Sequence, residues 1–168
     1  MLKEIERAFF QGIFAGWVHG EEGHRNLLNW HTVEYHEVIW EYHLNFRAPI
    51  SVIDRWGNDP ASGKPSGSTF ITVADTPAWV MWYGGDSYNE DVLPFLREAL
   101  IENYRENKFC GGRGPATYRK GNLLYTNKFE GDFLHFSGHE YIEYVRDNEE
   151  KQNAGSHKYW GGSLLYLK

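Results

Sequence analysis

The chain has 168 residues, with 17 Lys and Arg against 23 Asp and Glu, a net charge of −6 at pH 7 and a single cysteine. That length supports one domain with its own core. The acidic balance argues against a nucleic-acid binder, and one cysteine rules out an internal disulfide framework or a multi-cysteine metal site. Charges at Lys3, Glu4, Glu6 and Arg7 break up any signal-peptide-like apolar stretch, and no uncharged apolar run approaches the ~20 residues of a bilayer span. A soluble, cytoplasmic protein without nucleic-acid or membrane partners is expected. Seven Trp, eleven Tyr and ten Phe mean that aromatic rings must fill much of the core, line a ligand site, or both.

In chain order, Leu2, Ile5, Phe9 and Ile13 mark one face of a helix. The stretch at about 18–36 follows, holding His19, His24, His31 and His36, and reads as an insertion with a short helix near Asn26 to Val38 that covers something as a flap. Strands are predicted at Val38 to Phe46, Ile50 to Trp56, Ser68 to Val73 and Trp79 to Tyr83, from their β-branched and aromatic content. A Pro/Gly/Ser loop at 59–67 and a turn at Asp75-Thr76-Pro77 separate them. A second helix shows Leu93, Leu96, Leu100 and Tyr104, with Asn89 or Asp91 as cap and Pro94 in its first turn. Further strands are predicted at Leu123 to Phe129, Phe133 to Phe136, Glu140 to Val145 and Lys158 to Leu167.

The order of these signals repeats. Asp54-Arg55-Trp56 aligns with Asn127-Lys128-Phe129, and Trp82-Tyr83-Gly84-Gly85 with Tyr159-Trp160-Gly161-Gly162. The reading is a single α+β domain, internally duplicated and pseudo-twofold. Its repeats are 2–85 and 93–162, each a helix followed by about three mainly antiparallel strands.

Several residue sets bear on chemistry. His31, His36 and His43 lie five and seven apart, not at the i, i+4 spacing of a zinc helix, so no metal site is expected. Cys110 precedes two glycines but more simply packs as a small hydrophobe. The loop Gly111-Gly112-Arg113-Gly114-Pro115 could bring Arg113 to an anion, yet it lacks the phosphate-loop Lys-Ser/Thr and the dinucleotide glycine pattern, so no cofactor is expected. Carboxylates beside aromatics form the last set. If the halves face each other, Asp54 and Glu130 approach one cleft walled by Trp56, Trp82, Tyr83, Phe129 and Trp160, with Arg113 nearby. Such a box suits a cationic or flat organic ligand; the plainer alternative is that the rings are core and the acids solvated.

The strings F-L-R-E-A-L (95–100), F-C-G-G-R-G-P (109–115), F-E-G-D-F (129–133) and F-S-G-H-E (136–140) resemble an uncharacterised bacterial domain-of-unknown-function family. D-R-W-G (54–57) and P-A-W-V-M-W-Y-G-G (77–85) are similar to it too, so the resemblance spans about 46–162. Some members of that family follow a helix-turn-helix domain in regulator-like proteins, which this sequence lacks, and the family implies no activity. The duplicated architecture is also similar to gyrase-inhibitory-protein-like effector domains, which implies a drug-like ligand in an aromatic cleft between halves, often over a central carboxylate. Three functions follow as expectations. The first is a non-enzymatic small-molecule binding domain. The second is a hydrolase-like enzyme using Glu130 or Asp132 as general base. The third is an acidic protein-interaction module of the immunity or anti-defence kind; a homodimer is compatible with any of them.

Overall fold

The computed structural model describes residues 1–14, 16, 24–30, 33–42, 49–59 and 61–165, with 24–30 and 33–42 described through their backbone. Helix α1 (Leu2–Ile13) buries Ile5, Phe9 and Ile13 of the predicted apolar stripe, with Leu2 partly buried against the same core. Strands β1 (His24–Trp30), β2 (Val33–Tyr42), β3 (Ile50–Asn58), β4 (Pro65–Val73) and β5 (Thr76–Asp86) follow as a meander. A 3-10 turn at Glu90–Val92 leads into α2 (Leu93–Arg105), and β6 (Thr117–Lys120), β7 (Leu123–Asp132), β8 (His135–Val145) and β9 (Lys151–Ser163) form a second meander. All pairings are antiparallel, and the sheet runs β1-β2-β3-β4-β5-β9-β8-β7-β6. The fold is therefore α+β: among the described residues, two α-helices and one nine-stranded antiparallel sheet.

The two meanders join where β5 pairs with β9, placing Tyr83 opposite Tyr159 and Trp82 opposite Trp160. This corrects the sequence alignment of Trp82-Tyr83 with Tyr159-Trp160. Antiparallel strands run through their residues in opposite directions, so the reversed dipeptides put both tyrosines on one face and both tryptophans on the other. The tyrosine face carries the helices. Trp79 is fully buried there, stacked on Phe133 (4.9 Å) and Phe136 (5.5 Å), with Phe9 of α1 at 5.0 Å. Its indole N–H donates to the Phe133 carbonyl at 2.8 Å, satisfying the one polar group that burial would otherwise penalise.

Other expectations change. The short helix near Asn26 to Val38 is instead the β1–β2 hairpin, which extends the sheet. Tyr35, Val38, Ile39 and Trp40 are β-branched or aromatic, and the ladder with β3 uses them. His24 and His36 lie on these strands, while His19 and His31 lie outside the described residues. Among the described residues the first unit thus has five strands and the second four, against about three each. β9 begins at Lys151, well before Lys158, because the polar Lys151 to His157 run is held by pairing with β8, joined by β5 from Ser156 onward, rather than by its own apolarity. Neither predicted cap bonds the helix backbone; Tyr144 instead links both residues, donating to Asp91 and accepting from Asn89. Among the described residues no helix is long and apolar enough to cross a membrane.

Candidate functional site

Strand β3 alternates Ile50, Val52 and Asp54 toward the helices, so the same pleat that buries two aliphatics also buries a carboxylate. Asp54 is 5% exposed. Thr69, directly opposite on β4, donates to its Oδ1 at 2.8 Å, and the Tyr83 hydroxyl donates to the same oxygen at 3.3 Å. Tyr83 reaches it by lying across Gly67, where an added Cβ would stand 2.4 Å from the ring. Any side chain at position 67 would displace that ring. Burial pushes the Asp54 carboxyl up to about 6, against the pull of Thr69, Tyr83 and Arg113.

Arg113 comes from the loop after α2. Gly111 (φ 67°) and Gly112 (φ 71°) take the left-handed conformation that turns the chain back under the helix. Side chains then pin the loop: Asn103 donates to the Arg113 carbonyl, Tyr104 to that of Gly112, and Asn127 to those of Cys110 and Gly114. Arg113 donates through Nε (2.9 Å) and Nη2 to Glu140 Oε1, and its guanidinium lies 5.5 Å from the Tyr83 ring centre. Glu140 is fully buried and also accepts from Tyr88 (3.1 Å) and Tyr125 (2.6 Å). Burial alone would raise its pKa, but the Arg113 charge and hydrogen bonds outweigh it and hold the carboxyl below its usual value. His157 pairs with Glu140 across the β8–β9 ladder, its Nδ1 3.7 Å from Oε1, and neither ring nitrogen has a hydrogen bond. Burial drops its pKa to about 4, Glu140 only partly opposing, so the ring is neutral at neutral pH.

These groups surround a pocket of about 400 Å³ between the helix layer and the sheet. The first unit contributes Asp54, Trp56 and Tyr83; the second contributes Leu100, Tyr104, Arg113 and His157. Four of the eight residues expected in a ligand box therefore line one pocket: Asp54, Trp56, Tyr83 and Arg113. The other four lie elsewhere. Trp82 (43% exposed) and Trp160 (55%) stand on the opposite face of the sheet, because each is one residue out of phase with its buried tyrosine neighbour. Phe129, Glu130 and Trp160 border a separate open depression of about 740 Å³. The single box joining Asp54 to Glu130 is thus corrected: β4, β5, β9 and β8 lie between their strands. Asp132 is exposed and shapes the β7–β8 turn, accepting from the backbone N–H of Leu134 at 2.8 Å. Cys110 is buried, and among the described residues no three His, Cys, Asp or Glu side chains are grouped to hold a metal.

Sequence reading missed His157, Tyr88 and Tyr104 as pocket residues and Glu140 as the buried countercharge of Arg113. The signal for Glu140 was present: Phe136, Glu140 and Ile142 share one alternating face of β8, so a carboxylate there had to be buried. For His157 and Tyr88 there was no such signal, since β9 does not alternate apolar residues at its start and Tyr88 lies outside any strand or helix.

An antiparallel sheet covered on one face by two helices, with an acidic and aromatic pocket beneath them, defines a small α+β domain built around an internal cavity. The chain belongs to the family described as Domain of unknown function (DUF5680), which matches residues 62–164. The match runs from within the 59–67 loop to just past the end of β9, so Tyr83, Tyr88, Arg113, Glu140 and His157 fall within it, while Asp54 and Trp56 lie before it. No curated protein and no solved structure matches the chain.

Proposed function

We propose that the protein is a small-molecule binding domain whose ligand, a compact organic cation or aromatic cation, occupies the pocket over Asp54. The observation that carries this reading is a buried carboxylate on the pocket floor with no cation of its own. Arg113 is committed to Glu140, and those two charges cancel. Asp54 therefore leaves the cavity net negative at neutral pH, and the faces of Trp56, Tyr83, Tyr88 and Tyr104 offer cation–π contacts. The similar sequence of elements in the two units, and their junction at β5 and β9, support a duplicated origin in which the pocket draws side chains from both copies.

Thermal-shift screening with aromatic amines and aromatic quaternary ions tests the proposal. Hits should lose their effect in Asp54→Asn and Trp56→Ala and keep it in Trp82→Ala, whose ring lies on the far face. A screen without hits, or hits indifferent to Asp54→Asn, sinks the reading. One observation favours hydrolytic chemistry as a second reading. Asp54 is raised while Glu140 is lowered, the divergence that separates an acid–base group from a fixed charge. Turnover of ester or amide substrates abolished by Asp54→Asn would support it over simple binding.

A further inference from the structure

The hydrogen-bonding polarity of the cavity narrows the ligand further. Of the hydroxyls lining it, Thr69 and Tyr83 donate to Asp54, Tyr88 donates to Glu140, Tyr104 donates to the Gly112 carbonyl at 2.9 Å and Ser87 to the Gly63 carbonyl at 2.7 Å. A hydroxyl whose proton is already placed presents only lone pairs to a guest. Asp54 takes both of its donors on Oδ1. Ser66 and Asn58, which could donate, are exposed at the rim. Arg113 directs Nε and Nη2 to Glu140 and is charge-neutralised there, so an anionic guest would meet the Asp54 carboxylate without an unpaired cation to receive it. The side chains around Asp54 thus present acceptors, while the donors of the buried lining are those of the neutral His157 ring and of Arg113.

Resting on the reading of this cavity as a ligand site, we infer that its ligand is a protonated primary or secondary amine held through its N–H groups by Asp54 and the surrounding phenol oxygens, and that a quaternary ammonium ion of similar size is rejected. The N⁺–H group satisfies charge and lone pairs together, in short charge-assisted hydrogen bonds. Methyl groups on a quaternary nitrogen satisfy the charge alone and keep that nitrogen out of hydrogen-bond reach of the carboxylate. The aromatic walls recover part of this loss through cation–π contact, which sets the size of the discrimination rather than its direction.

Isothermal titration of the full chain with phenethylamine, its N,N,N-trimethyl counterpart and phenylpropanoate tests the inference. The primary amine should bind, the trimethyl ion at least about tenfold more weakly, and the carboxylate not at all, since a site built to receive a donor rejects an isostere lacking it. In Asp54→Asn, shown to be folded by its circular dichroism, the primary amine should fall to the level of the trimethyl ion. Equal or tighter binding of the trimethyl ion, tighter binding of phenylpropanoate, or a preference that survives Asp54→Asn each overturns the amine assignment while leaving a ligand pocket in place. Silence from all three probes on the wild type overturns the assignment and the pocket reading together.

Discussion

Asp54→Asn should stabilise the unliganded protein, by an amount that depends on pH. Burial raises the Asp54 carboxyl from the usual 3.8 to about 6, because the ionised form loses water and regains only two hydrogen bonds and a distant guanidinium. A raised folded-state pKa contributes stability that is fully present below 3.8 and is lost as the pH climbs through about 6. The interval corresponds to about 3 kcal/mol of folding free energy. Asparagine keeps the acceptor for Thr69 and Tyr83 without the charge. The stability difference, variant minus wild type, should therefore grow by about 3 kcal/mol between roughly pH 4 and roughly pH 8, equal to about 6–12 °C in unfolding midpoint for a chain of this size. The difference must be taken, because His157 works in the opposite direction. Its pKa falls from 6.5 to about 4, so its contribution is present above 6.5 and lost as the pH drops through about 4, flattening the wild-type curve. Urea unfolding followed by tryptophan fluorescence at several pH values gives both curves. A stability difference constant across pH, or a variant less stable than wild type on the alkaline side, would refute a buried ionised Asp54.

Other perturbations separate the core from the pocket. Trp79→Ala should cost about 3–5 kcal/mol in urea unfolding, as expected for a fully buried Trp stacked on two rings, whereas Trp56→Ala, which lines the pocket, should cost clearly less. Glu140→Gln leaves the Arg113 guanidinium buried without its countercharge and should destabilise by about 3–5 kcal/mol; a change below about 1 kcal/mol would mean that Arg113 finds solvent. Gly67→Ala should lower ligand affinity more than it lowers stability, because its Cβ meets the movable end of the Tyr83 ring rather than backbone. His157→Phe should remove the loss of stability on the acid side while leaving the alkaline side nearly unchanged, since the neutral ring makes no hydrogen bond there.

Apolar periodicity made the helices and β3, β4, β7 and much of β8 legible, because in those elements the buried face is written in aliphatic and aromatic residues at fixed spacing. β9 was not, since Gln152 and Asn153 are held by β8 and Ser156 by β8 and β5, and none of them carries a pattern of its own. The β1–β2 hairpin was misread because histidines and glutamates interrupt its β-formers. At the site, Asp54, Trp56 and Tyr83 were legible together because alternation along β3 and β5 fixes their common face. Trp82 and Trp160 were assigned wrongly for the same kind of reason: in a Trp-Tyr dipeptide only one ring can face the helices, and composition does not say which. Burial decides it through the phenol oxygen of Tyr83, which has a partner in Asp54.

The pocket side chains oppose the rest of the molecule energetically, and that opposition argues for selection on binding. Burial disfavours the ionised carboxylate at position 54, and buried acceptors left without donors are costly. His157 leaves two ring nitrogens unpaired where an aliphatic residue would pack without that cost. Two consecutive left-handed glycines bring Arg113 to Glu140, although an apolar pair of similar volume would fill that space at no electrostatic cost. None of these choices is required by the sheet, whose registers and aromatic core around Trp79 are complete without them. They are explained together if a guest supplies a positive charge for Asp54 and partners for the polar groups the pocket leaves unpaired.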